Sequence, residues 1–281
     1  MRLLEQVVKR FVLFMLFVAV LLGPARSDAY PTSIVFVPTG EARNFLDVGV
    51  YGYFGFILKQ PDATASTDFV PWTGINIGLI PRFKYGASGT GFGGLELGLD
   101  TLRSMVPQPH TKVVLNAKMQ LFTESGLLPH LALGAIQYAP FEQEQSAMMG
   151  FATATKTLQF GSLNFGRITL GYLRAFTHKP ELFYGTAPFG RSSQSGLMGG
   201  YESPAFGPFS VAVEQLGGYS EASNTNAAIW WHPLDGGSIG VGGFLATDRR
   251  TSAAYDGLFT MVALDFNLLK KPQPAAAVEG K

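Results

Sequence analysis

The chain has 281 residues, a formal net charge of +1 and no cysteine. Charged residues make up 15% of it, against about 25% of a typical soluble domain, while glycine and phenylalanine are plentiful. The near-zero net charge does not indicate nucleic acid as a partner. The absence of cysteine excludes disulfide bonds and a lipid-modified cysteine.

The N-terminus has the three parts of a secretory signal peptide. Three basic residues precede an apolar run, Phe11–Leu22, and Ser27-Asp28-Ala29 supplies a small-x-small ending. The alternative is a membrane anchor, but the run is shorter than the roughly 20 residues a spanning helix needs, and Gly23-Pro24 interrupts it. We therefore predict a signal peptide over residues 1–29, and export.

Residues 30–45 precede the first strand pattern and contain a short apolar run, Ile34–Pro38. We predict a periplasmic lead-in here. A plug and an additional strand remain open as alternatives.

A period of two then runs along the chain to residue 268. In Thr73–Gly86, apolar residues alternate with polar residues or glycine, with Ile80 as the exception. Such alternation places successive side chains on opposite faces of a β-strand, and turn-forming residues separate the stretches. The pattern predicts about twelve strands, near 46–57, 72–85, 91–100, 112–122, 129–138, 148–159, 163–174, 195–202, 208–216, 226–232, 238–245 and 257–268.

The connections between these strands indicate how the sheet is arranged. Counted along the chain, every odd-numbered connection is longer than every even-numbered one. Membrane barrels have short turns at one end and longer loops at the other, and closure satisfies edge groups that lipid cannot. We predict an all-β protein, a transmembrane antiparallel up-and-down β-barrel of about 12 strands over residues 46–268. A flexible periplasmic tail is predicted over 269–281.

Aromatic residues occur near many predicted strand ends. Membrane barrels place such rings at headgroup depth, whereas ordinary β-propensity is the alternative explanation. The residues concerned are Tyr51, Tyr53, Trp72, Tyr85, Tyr138, Tyr172, Tyr201, Trp230 and Trp231.

Motifs for catalysis or cofactor binding are weak. G-x-G-x-x-G at Gly89–Gly94 leads into a strand rather than a helix, so a glycine turn is favoured over a nucleotide site. Each of the four histidines lies beside proline or in a predicted loop. We predict no catalytic residues, no cofactor, no metal and no enzymatic activity.

Charged and polar side chains fall on the inward faces of neighbouring predicted strands. They can line a pore and select solutes, or pair across strands and fill a narrow barrel. These pore-lining candidates are Arg82, Lys84, Glu96, Asp100, Lys112, Asn116 and Lys118.

From the signal peptide to Leu268, this architecture resembles that of Gram-negative outer-membrane β-barrel proteins, broadly the porin-like ones. The resemblance implies a bacterial outer-membrane location, outer-membrane lipids and the assembly machinery as partners, and passage of small solutes. Our leading hypothesis is a narrow channel or transporter. The alternative is a non-conducting barrel that displays loops for adhesion or anchors envelope components, and an outer-membrane enzyme is a third, weaker hypothesis.

Overall fold

The computed structural model of the chain describes residues 36–59, 69–81, 83–85, 90–104, 110–138, 149–176, 195–216, 224–246 and 256–269. Regular secondary structure in these residues is entirely β. Among them, no helix has the length and apolarity that a membrane crossing requires. The predicted signal peptide and nearly all of the predicted tail lie outside the described residues.

Fourteen strands are present in the described part of the chain. Most contain 8–13 residues, and two contain three. They are β1 Asp47–Lys59, β2 Phe69–Ile80, β3 Phe83–Tyr85, β4 Thr90–Phe92, β5 Leu95–Ser104, β6 His110–Phe122, β7 His130–Tyr138, β8 Met149–Phe160, β9 Leu163–Ala175, β10 Ser195–Glu202, β11 Phe209–Leu216, β12 Asn224–Leu234, β13 Gly237–Ala246 and β14 Asp256–Asn267.

Twelve of these strands form a closed barrel. Each pairs antiparallel with its neighbours, and β1 closes the sheet against β14, with Asp47 opposite Asn267 and Phe56 opposite Leu258. The strands β3 and β4 form a separate two-stranded ribbon, so β2 pairs with β5. The predicted fold, a 12-stranded antiparallel up-and-down barrel, is confirmed.

The predicted alternation of connection lengths is wrong at two successive connections, 81–94 and 105–109. The strand predicted over 72–85 leaves the barrel at Ile80, and the chain then forms the ribbon before β5. The even-numbered connection 81–94 is consequently longer than the odd-numbered connection 105–109. Gly93 and Gly94 have φ of +86° and +113°, a backbone conformation that glycine adopts without steric cost. This accounts for the glycine turn at the end of the G-x-G-x-x-G motif.

The predicted inward and outward faces agree with the observed burial. On β5, Leu97 and Leu99 are 39% and 40% exposed, whereas Glu96 and Asp100 are 6% and 3% exposed. On β6, Leu115 faces outward and Lys118 inward. The outer wall of the barrel is therefore apolar, and polar groups of these two strands are enclosed.

The aromatic residues do not all lie where interfacial rings would. Tyr53 and Trp230 are buried in the barrel interior, and Trp72 packs against the same interior cluster. Tyr172 and Tyr201 lie on the outer surface. Tyr51 also points inward, where it bonds Asp100. The interfacial interpretation is thus wrong for the four inward rings, because side chains alternate between the two faces of a strand.

Candidate functional site

We call residues 36–46 the luminal segment: residues 36–43 lie inside the barrel, and residues 44–46, of which Asn44 and Phe45 are exposed, lead from it to β1. Wall side chains accept several of its backbone N–H groups. Glu214 accepts those of Phe36 and Val37, and Thr155 accepts that of Gly40 at 2.8 Å. Of the three sequence alternatives for this region, the position corresponds to the plug.

The remaining backbone contacts continue around the wall. Gln120 accepts the N–H of Ala42 at 3.0 Å, and Glu96 accepts that of Arg43 at 3.1 Å. Thr153 donates its hydroxyl to the carbonyl of Thr39. Buried backbone groups require hydrogen-bond partners. The inward polar residues of β5, β6, β8 and β11 provide these hydrogen bonds, which a neighbouring strand would provide in a sheet.

The luminal segment fits tightly where it contacts the wall. A Cβ at Gly40 would lie 2.4 Å from the carbonyl oxygen of His130, closer than real Cβ atoms approach. At its end, Leu46 has φ of +60°, a strained conformation for a bulky residue. Leu46 donates its N–H to Gly78 and accepts one from Leu268. These bonds hold the turn between the segment and β1.

Glu41 is the central acidic group of the luminal segment. It pairs with Arg167, and its Oε1 lies 3.0 Å from Nε2 of His130. Glu202 also pairs with Arg167, at 2.6 Å. Burial would raise the pKa of Glu41, but the hydrogen bond from His130 and the positive charge of Arg167 lower it from 4.5 to about 2. Glu41 is therefore held as a carboxylate.

The orientation of His130 follows from its other ring nitrogen. The backbone N–H of Glu124 donates to Nδ1 of His130 at 3.1 Å, and the Gln120 amide lies 3.3 Å from the same atom. Because Nδ1 accepts, a neutral ring carries its proton on Nε2. That nitrogen then donates to Glu41, so the wall presents a fixed donor toward the segment.

A second group of charges surrounds Arg43 of the luminal segment. Its guanidinium pairs with Asp265 and donates to Asn76 at 2.6 Å. Nearby, Lys118 lies 3.5 Å from Glu96. Asp100 accepts hydrogen bonds from Tyr51 and Asn116. These enclosed charges are paired and hydrogen-bonded, as buried charges must be.

The two ends of the lumen differ in polarity: one is charged and the other is apolar. Arg167, Glu202 and Asp265 lie near the end of the barrel that carries the even-numbered connections. A hydrophobic cluster lies mostly toward the other end, packed with the start of the luminal segment. Its members are Val37, Tyr53, Met149, Phe151, Leu173, Met198, Ala212, Leu216, Ala228, Trp230, Phe244, Phe259 and Met261.

The pore-lining candidates separate into three groups. Glu96, Asp100, Asn116 and Lys118 lie together on the inward faces of β5 and β6. Lys84 is on the ribbon, opposite Gly91, and not on a barrel strand. The predicted place of Lys84 on the barrel wall is therefore wrong, because β2 ends at Ile80. The backbone of Lys112 lies on β6, but its side chain, like all of Arg82, is outside the described residues.

Sequence reasoning identified Glu96, which accepts the N–H of Arg43, but missed the other wall residues that bind the luminal segment. Parity alone places Arg167 and Glu214 on inward faces, so that signal could have identified them. No pattern indicated that Glu41 would contact His130, because these residues are far apart in the chain and meet only inside the closed barrel.

One serine–histidine contact is present across neighbouring strands. Ser210 Oγ lies 2.9 Å from Nε2 of His232. A nucleophile–base pair also uses a group that orients the histidine through its other nitrogen. In the described part of the chain no hydrogen bond to Nδ1 of His232 is present, and no group of residues there could hold a metal ion.

No protein-family model matches the chain, and comparison with curated proteins finds no significant relative.

Proposed function

We propose that the protein is an outer-membrane β-barrel that acts as a narrow channel for small solutes, and that the luminal segment closes it. The observation that carries the proposal is the segment itself, held in the lumen by side-chain hydrogen bonds and ion pairs. Such contacts can exchange with water when the segment moves out.

Three features support a membrane location. The barrel is closed, so each of its twelve strands is paired on both edges. Large apolar side chains cover its outer surface on many strands, among them Ile75, Leu97, Leu170, Leu197, Ile229, Val241 and Leu258. The N-terminal residues match a signal peptide. Surrounding lipid would remove this apolar surface from water, and assembly machinery would insert the exported chain.

If the luminal segment moves out, the wall groups that it occupies become the channel lining. Glu96, Lys118 and Arg167 then face water together with Gln120 and Thr155. Mixed wall charge of this kind sets the local concentration of ions and small polar solutes.

The alternative is a barrel that never conducts and serves for display or anchoring. The pairing of enclosed charges and the hydrophobic cluster favour it, since both stabilise a filled interior.

Crosslinking and conductance distinguish the two. The chain has no cysteine, so Thr39→Cys and Thr153→Cys can be joined by a short bifunctional thiol reagent; their present contact is 3.2 Å, from Thr153 Oγ1 to the Thr39 carbonyl. In planar bilayers, the free double variant should open intermittently and the crosslinked form should stay closed. Each single variant treated with the reagent is the control.

A variant lacking residues 36–44 completes the test. It should conduct continuously, provided that heat-modifiable gel mobility shows a folded barrel. A folded deletion variant without conductance would overturn the channel and support the non-conducting alternative.

A further inference from the structure

The luminal segment offers the wall two chemically different groups. Phe36 places an aromatic ring in the hydrophobic cluster, and Glu41, five residues later, places a carboxylate against Arg167 and His130. A fully extended chain spans about 3.3–3.6 Å per residue, so the two positions are at most about 18 Å apart.

The apolar position is built from rings of three barrel strands. Phe36 stacks on Trp72, with centroids 5.9 Å apart and an angle of 9° between the ring planes. Tyr53 meets it edge-on at 5.1 Å, and Phe259 meets it edge-on at 6.3 Å. An apolar body placed against these rings is removed from water.

The charged position is built from the wall as well. Arg167 and His130 are each 8% exposed, and the bond from Glu124 to Nδ1 directs Nε2 of His130 at the Glu41 carboxylate. A cation and an N–H donor converging on one carboxylate form a receptor that another carboxylate can enter.

We propose that the lumen binds medium-chain fatty acids, which place the alkyl chain where Phe36 lies and the carboxylate where Glu41 lies. The luminal segment occupies the same two positions and competes with this ligand. The inference rests on the proposed function, because the segment must leave for the ligand to enter, and it names the substrate class of that channel.

Photolabelling tests the proposal on the full chain refolded in phosphatidylcholine vesicles. The probes are dodecanoic acid and dodecanol, each with a diazirine at the end of the chain. Glu41→Gln weakens the hold of the segment on Arg167, since a neutral amide replaces the carboxylate. It should raise labelling of inward Tyr53 and Phe259 by the acid about tenfold over wild type, and labelling by the alcohol much less.

Adjacent positions supply the internal reference. Leu258 and Val262 face outward on β14, beside inward Phe259 and Met261, so lipid-dissolved probe labels the outward set. The matched control is Asp47→Asn, which neutralises a carboxylate whose side chain is bonded to Asn267 rather than to His130 or Arg167. It should leave inward labelling at the wild-type level.

Three results would overturn the inference: labelling confined to outward positions, equal inward labelling by acid and alcohol, or an equal rise with Asp47→Asn. Unlabelled dodecanoic acid, but not dodecanol, should also reduce labelling of Phe259 in wild-type protein, and this measurement needs no variant to fold.

Conductance of Glu41→Gln separates the two proposals. Conductance without inward labelling rejects the ligand and keeps the channel, whereas inward labelling without conductance supports the ligand and rejects the channel.

Discussion

Single glycines in the wall make room for the luminal segment. A Cβ at Gly78 would lie 1.9 Å from the backbone carbonyl oxygen of Asn44 and 2.9 Å from that of Arg43. Backbone atoms cannot swing aside as a flexible side chain can. Gly98 also faces the lumen, on β5, but a Cβ there would meet only side-chain atoms, at 3.5 Å.

We therefore expect Gly78→Ala to destabilise the protein by about 1–3 kcal/mol, the usual cost of overpacking, and Gly98→Ala to be close to neutral. Urea unfolding followed by tryptophan fluorescence measures both. In the variant lacking residues 36–44 the cost of Gly78→Ala should disappear, because its neighbours are gone. A similar loss of stability in both variants would contradict the close contact between Gly78 and the luminal segment.

The luminal segment is held by charge as well as by backbone contacts. Glu41 links it to Arg167 and His130 on β9 and β7, and Arg43 links it to Asp265 on β14. The segment thus ties together strands that are not neighbours in the barrel. It acts as an internal brace of the barrel.

The pH dependence of stability should report the Glu41 contact. Its pKa in the folded protein, about 2, is below the ordinary value of 4.5. The carboxylate therefore contributes stability that is fully present above pH about 4.5 and is lost as the pH falls toward 2. The difference in unfolding free energy between wild type and Glu41→Gln should be largest above pH 5 and shrink toward pH 2. A difference that does not vary with pH would contradict this account.

The whole barrel combines an apolar outer wall with a filled interior. Apolar side chains face outward on many of its strands, and the interior contains the luminal segment, paired charges and the hydrophobic cluster. Closure of β1 on β14 makes this separation of the two faces possible.

The same substitution at two positions tests whether the outer wall lies in lipid. Leu97 is on a barrel strand, and Leu127 is on the turn after β6, 96% exposed. Leu97→Arg should destabilise the vesicle-inserted protein by about 2–4 kcal/mol near the bilayer midplane, and Leu127→Arg by about 0–1 kcal/mol. Urea unfolding in vesicles is the measurement. Equal costs at the two leucines would argue against a lipid-facing wall.

The sequence by itself determined that about twelve strands form the barrel and which face each side chain takes, but not the ribbon of β3 and β4. Side chains alternate along a strand wherever it is placed, so Leu97, Glu96 and Lys118 could be assigned to faces from local pattern alone. Local pattern also put Glu96, Asp100, Asn116 and Lys118 on one inner surface.

Only the tertiary structure decided what fills the barrel. Whether residues 36–46 lie outside or inside depends on contacts between positions far apart in the chain, such as Phe36 with Glu214 and Glu41 with Arg167. Period-two alternation also does not indicate where a strand leaves the barrel, and β2 leaves it before Lys84. Local periodicity indicates a strand and its two faces. The residues that fill the lumen, in contrast, depend on how all twelve strands close around them.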